Sequence, residues 1–136
     1  QDASVIRFVK RPHGELTSNY TQNGSEIDPE GFYETLVNVN KRYGKPIVVS
    51  ENGIGTQSEQ KKIRYFREHV NQMRRAMNDG VDIRGYFPWT LIDNYESAEG
   101  YAANLGLTHV DRKNMQLVIE PAGEWFQKFI RANPEP

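Results

Sequence analysis

The chain has 136 residues, 37% of them hydrophobic and 26% charged, with 7 Pro, 11 Gly and no Cys, enough for one domain with a real core. Seventeen Lys and Arg against 18 Asp and Glu leave a formal charge of −1, so no basic field holds a nucleic-acid backbone. No apolar run approaches the roughly 18 to 20 residues that span a bilayer, and the missing cysteines exclude disulfides, thiol catalysis and Cys-ligated zinc.

Residues 1–28 read as a lead-in: an extended patch at 5–9, then a loop rich in Pro, Gly, Ser, Thr and Asn. Its first residues lack the charged-then-apolar layout of a secretory signal, which with the absent cysteines favours a cytoplasmic location. Asn19-Tyr20-Thr21 and Asn23-Gly24-Ser25 match the glycosylation sequon, a pattern short enough to arise by chance. Pro29-Glu30 then opens a helix whose buried stripe is Phe32, Leu36, Val39 and Tyr43, stopped by Gly44. The β-branched run Ile47-Val48-Val49-Ser50 predicts a strand covered on both faces and ending at Glu51-Asn52-Gly53. Residues 59–78 predict a long helix with Ile63, Phe66, Val70, Met73 and Met77 on its buried face and the lysines and arginines mostly off it.

A second strand is expected over 81–89, and strand, helix, strand in that order implies a parallel pair with a right-handed crossover. Residues 105–110 and 117–119, separated by Asp111-Arg112-Lys113-Asn114, read as a hairpin. A last helix over 122–132 is expected to bury Trp125, Phe126, Phe129 and Ile130. The pattern belongs to the α/β class. Two parallel strands, with 5–9 as a doubtful third, are too few to cover their own edges.

Parallel α/β folds build their sites just past the C-terminal ends of strands, and two segments there carry polar groups. Glu51 follows an apolar strand, which suits a nucleophile or an acid/base group held on a rigid element; Glu51-Asn52-Gly53 also suits a plain polar turn. The stretch from Gly85 through Trp89, Asp93, Asn94, Tyr95, Glu96 and Glu99 to Tyr101 interleaves aromatics with carboxylates and an amide. Aromatic faces stack on sugar rings and the polar groups bind ring hydroxyls, so the composition fits carbohydrate as well as it fits core aromatics with a capping turn. His13, His69 and His109 show no metal-ligand spacing and read as surface or core-edge residues.

Pro46-Ile47-Val48-Val49-Ser50-Glu51-Asn52-Gly53 resembles the nucleophile motif of family 1 glycoside hydrolases, the β-glucosidase family, usually Pro-Ile-Tyr-Ile-Thr-Glu-Asn-Gly. The stretch from Val81-Asp82-Ile83-Arg84-Gly85-Tyr86-Phe87-Pro88-Trp89 to Asp93-Asn94-Tyr95-Glu96 is similar to the family's last barrel strand and following loop. The likeness continues through Gly100-Tyr101, Gly106-Leu107 and Val110-Asp111, in order, over about residues 24–130. It implies the C-terminal part of a (β/α)8 TIM barrel, strands seven and eight with helices six to eight. Residues 47–50 would be strand seven, 59–78 helix seven, 83–89 strand eight and 122–132 helix eight. By that mapping 1–28 is lead-in, 29–132 barrel elements and 133–136 a tail, well short of the ~250 residues of a typical barrel.

The resemblance also implies a retaining β-glycosidase in which Glu51 attacks the anomeric carbon, with a second carboxyl about 5 to 5.5 Å away as general acid and then base. The family supplies that group from an Asn-Glu-Pro motif, which this chain lacks. Substrate-binding roles fall by the same mapping to Asn52, to Trp89 as a stacking platform, to Glu96 as a hydroxyl ligand, and to Ser97, which stands where Trp is usual. Asn104-Leu105-Gly106 replaces the usual Arg-Phe-Gly. The phosphoglycosidase branch has Ser, Lys and Tyr where Glu96, Ala103 and Leu105 stand, so a neutral hexoside is the expected substrate. Neither metal nor cofactor is implied. The expected partners are a β-glycoside or oligosaccharide and a complementary N-terminal barrel portion, or self-association. The alternatives are a non-catalytic fragment or carbohydrate-binding remnant of the same fold and, third, an independent small α/β domain.

Overall fold

The computed structural model describes residues 19–22 and 24–133; the extended patch expected at 5–9, His13 and residues 134–136 lie outside them. In chain order come α1 (Pro29–Tyr43), β1 (Ile47–Gly53), α2 (Glu59–Asn78), β2 (Ile83–Trp89), β3 (Thr108–Asp111), β4 (Gln116–Ile119) and α3 (Pro121–Ala132). The helix boundaries follow from local chemistry. Asp28 caps α1 by accepting from the Gly31 N–H at 2.9 Å, Pro29 occupies its first turn, and Gly44 closes it in the left-handed conformation at φ 57°. Ser58 caps α2. No residue of its own caps α3, whose first-turn Ala122 N–H instead donates to Glu59 Oε2 of α2 at 2.9 Å.

β1 and β2 form the expected parallel pair, and β3 and β4 an antiparallel hairpin. Helix α2 packs against both α1 and α3. One core joins Leu36 of α1, Val49 of β1, Ala76 of α2 and Val81. A second joins Ile54, Tyr65, Phe66, Leu107, Ala122 and Phe126, and Tyr86 of β2 packs against both. Phe66, Val70 and Ala76 are the most deeply buried apolar residues of α2, and Phe66 and Val70 each stabilise the fold by about 1.5–3 kcal/mol through burial alone.

Several expectations are corrected. β1 does not stop at Ser50 but runs to Gly53, because Asn52 and Gly53 pair with Pro88 and Trp89; Glu51 therefore lies within the strand. β2 begins at Ile83 rather than 81. Among the described residues the pair is covered on one face only: Val49 and Tyr86 face the helices, whereas Val48 is 55% and Phe87 58% exposed. Val39 and Tyr43 of α1, Met77 of α2 and Ile130 of α3 are exposed, and Trp125 and Phe129 only half-buried. Conversely, Lys61 and Lys62 of α2 are buried, and so is His69, against the surface or core-edge placement expected.

Candidate active site

Between Val49 and Asn52 the register slips: β1 advances from Val49 to Asn52 while β2 advances from Tyr86 only to Pro88. Ser50 and Glu51 thus stand opposite the single residue Phe87, a bulge of the kind that re-aims side chains next to sites. Glu51 is exposed there. Just beyond it Gly53 lies against Trp89 so closely that a Cβ on Gly53 would sit 1.6 Å from the Trp89 carbonyl oxygen. Only glycine permits that approach, and it brings the ends of the two strands together.

Asn52 is held from the helix side. Its Oδ1 accepts from the Tyr86 hydroxyl at 2.7 Å, and its amide lies near the Tyr65 hydroxyl. Burial pushes the Tyr65 hydroxyl up to about 12, with the Asn52 amide opposing; burial, then the neighbouring Tyr65, raises Tyr86 as well. Both stay protonated at neutral pH, which lets Tyr86 donate to Asn52 and fix the residue that follows Glu51.

After β2 the Trp89–Thr90 peptide bond is cis, and the chain makes an excursion closed by its own backbone. Leu107 N–H donates to Thr90 O at 2.9 Å, and Asp93 N–H to Thr108 O at 3.1 Å. Within it Glu96 and Gly100 exchange backbone hydrogen bonds at 2.8 and 2.7 Å, so Glu96 sits at the base of a tight turn with Ser97 exposed on it. Glu96 Oε1 and Asn94 Oδ1 are buried acceptors with no hydrogen-bond partner among the described residues. Tyr95 and Tyr101 meet edge to face at 5.1 Å, and the Arg112 guanidinium lies 3.7 Å over the Tyr101 ring.

Glu51, Asn52 and Trp89 are therefore brought to one end of the parallel pair, and Glu96 and Ser97 follow on the loop that leaves it. Sequence reasoning missed the supporting residues Tyr65, Lys62 and Glu59. A signal for Lys62 exists: it precedes Phe66 and Val70 by four and eight residues and so shares their buried face. Among the described residues no group of three His, Asp or Glu side chains could hold a metal ion, and no helix is long and apolar enough to cross a membrane.

The sequence pattern of Glycosyl hydrolase family 1 matches residues 6–135. The chain belongs to glycosyl hydrolase family 1. Among family 1 relatives, a bifunctional β-D-glucosidase/β-D-fucosidase of Bifidobacterium breve is 40% identical over 125 residues, covering 82% of this chain and 27% of that protein. A β-galactosidase of Sulfolobus acidocaldarius is 39% identical, with 83% of this chain and 23% of that protein covered. Of the solved structures, the family 1 β-glucosidase of Thermotoga maritima in complex with isofagomine lactam superposes with a TM-score of 0.80 at 34% identity, over 84% of this chain and 28% of that one. The chain thus spans roughly a quarter of the length of the curated relatives it matches, and its α/β architecture agrees with the barrels of its structural neighbours.

Proposed function

We propose that this chain is the C-terminal part of a (β/α)8 barrel, with β1 and β2 as strands seven and eight, and that it takes part in retaining hydrolysis of β-glucoside-like substrates. Glu51 is the nucleophile, Trp89 the platform under the sugar ring, and Glu96 and Ser97 line the sugar's polar edge; Asn52 orients the end of β1 beside Glu51. The observation that carries this reading is the bulged parallel register that sets Glu51 to Gly53 alongside Pro88 and Trp89. Glu96 Oε1 supports it, since a buried acceptor with no protein donor is matched to a hydroxyl brought by a ligand. The general acid comes from a complementary N-terminal portion that covers the open sheet edges and the bare Val48 and Phe87 face.

Covalent trapping tests the assignment. A fluorosugar inhibitor is expected to label Glu51, and Glu51→Gln to abolish the label; undiminished labelling of that variant removes Glu51 as nucleophile. Intact mass tests the division of labour, because a functional sample is expected to hold more than a lone 15.7 kDa species. A second reading is a non-catalytic remnant of the same fold that binds carbohydrate, for which the unpartnered buried Glu96 Oε1 serves as well as it serves a catalytic site. A lone 15.7 kDa species with no turnover of an activated aryl β-glucoside would decide for it.

A further inference from the structure

We propose that Asp93 is a positioning residue that locks the neck of the loop carrying Glu96, and that sugar affinity depends on it; the inference rests on the glycosidase reading above. Asp93 and Gly106 are 13 positions apart yet directly bonded: the Gly106 N–H donates to Asp93 Oδ1 at 2.8 Å. The excursion between them is an Ω-like loop, compact and closed at its ends. Asp93 Oδ2 meets His109 Nδ1 of β3 at 2.9 Å, and the Asp93 side chain is only 9% exposed. Gly106 is held on its following peptide too, its carbonyl accepting from Lys62 Nζ at 2.8 Å. Lys62, 2% exposed, pairs with Glu59 at 3.1 Å, and Glu59 in turn holds the start of α3.

The neck is closed sterically as well. A Cβ on Gly106 would lie 2.6 Å from Asp93 N and 2.7 Å from Asp93 Oδ1, so the two strands of the loop touch with no side chain between them. Glu96 stands three residues from Asp93, and its carboxylate position is not held by any hydrogen bond to Oε1. Its placement must therefore come from the backbone that Asp93 anchors. A carboxylate is suited to this because it accepts from two donors at once and strengthens each bond by its charge.

The experiment uses the full polypeptide or complex that carries this chain. Asp93→Ala is expected to fold, since a polar cleft of about 100 Å³ lined in part by Asp93, His109 and Lys62 lets water take the lost carboxylate's place. It is expected to lower kcat/KM on an aryl β-glucoside roughly 10- to 100-fold, the cost of a misplaced ligand group. Amide hydrogen exchange should quicken across 94–106 and stay unaltered in α1. Asp93→Asn, which keeps an acceptor for Gly106 and offers its amide to His109, is expected to restore most of the activity. The inference is overturned by wild-type kcat/KM and unaltered exchange in Asp93→Ala, or by Asp93→Asn behaving no better than Asp93→Ala. Should the unaltered protein fail to label at Glu51 with the fluorosugar, the glycosidase reading falls by itself, and the exchange measurement still decides whether Asp93 holds the loop.

Discussion

At the neck of the 93–106 loop, Asp93, Glu59 and Lys62 place both carboxylate oxygens of each acid and the ammonium on protein partners. One and three residues further along, Asn94 Oδ1 and Glu96 Oε1 are hidden from solvent and have no hydrogen-bond partner among the described residues, and Glu51 stands exposed on its bulge. Both regions are polar and both lie at the same end of the β1–β2 pair. Folding alone drives buried polar groups toward full satisfaction, so the saturated neck reads as scaffold and the unsatisfied acceptors as groups awaiting a ligand. If that division is right, substitutions in the two regions move different quantities.

The largest effect is expected at Glu51. With the barrel complete, Glu51→Gln should lower turnover of an aryl β-glucoside by at least about 10³-fold, which is ~4 kcal/mol of barrier at 1.36 kcal/mol per tenfold. Because the side chain is exposed, the unfolding free energy should shift by no more than about 0.5 kcal/mol. Kinetics and urea unfolding on one preparation check both halves, and a large stability loss would move Glu51 to the scaffold side.

Lys62→Met is the reverse case. It leaves the Gly106 carbonyl and Glu59 without their buried donor, at a cost of roughly 2–4 kcal/mol. Urea unfolding is the measurement, and a loss under about 1 kcal/mol would show that the saturated cluster adds little to the fold. Residual activity in the folded fraction should fall far less than in Glu51→Gln.

Much of this arrangement is legible in the sequence, and its limits are physical. The stop at Gly44 declares itself locally, acting within one turn of its own position, and the α2 stripe of Phe66 and Val70 follows from helical spacing alone. The two exposed strand residues, Val48 and Phe87, do not, since β-branched and aromatic residues look the same whether a neighbouring element covers them or not. The bulge at Ser50 and Glu51 was hidden because register depends on the partner strand. The neck was hidden for a similar reason. Asp93, Gly106, Lys62 and Glu59 come from three separate segments, and only the fold makes them one cluster; charge on a helix face ordinarily means solvent, yet Lys62 finds a carbonyl 44 positions away.

Tyr86→Phe probes the junction between the regions. It removes the donor to Asn52 Oδ1 while keeping the ring in both cores, so the stability loss should be about 1 kcal/mol. The same tyrosines predict an alkaline limb. Tyr65 is held at about 12 against an ordinary 10, and Tyr86 is raised too. Above pH 10 the unfolded chain sheds protons that the folded chain keeps, so stability falls with pH between about 10 and 12. Urea midpoints across that range should decline less steeply in Tyr86→Phe than in the unaltered protein; identical slopes would mean that its hydroxyl is not buried.

The smallest effect belongs to His69, which tests how completely the scaffold side excludes charge. Its ring stacks on Tyr65 at 3.8 Å and tilts against Phe32 at 5.3 Å, with Nδ1 2.8 Å from the Tyr65 carbonyl. Burial lowers its pKa from the ordinary 6.5, while the Tyr65 carbonyl and the charges of Glu68 and Asp28 pull the other way. A depressed pKa means that the unfolded chain takes up a proton first as pH falls. The contribution to stability is therefore intact above about pH 6.5 and is lost below it, toward the folded value. His69→Phe fills the same stack without a titrating nitrogen, so its urea midpoint should vary less with pH over that window. A variant that tracks the unaltered protein through the whole window would mean that His69 protonates in place, and that the packed side of α2 admits charge as readily as the loop that bears Glu96.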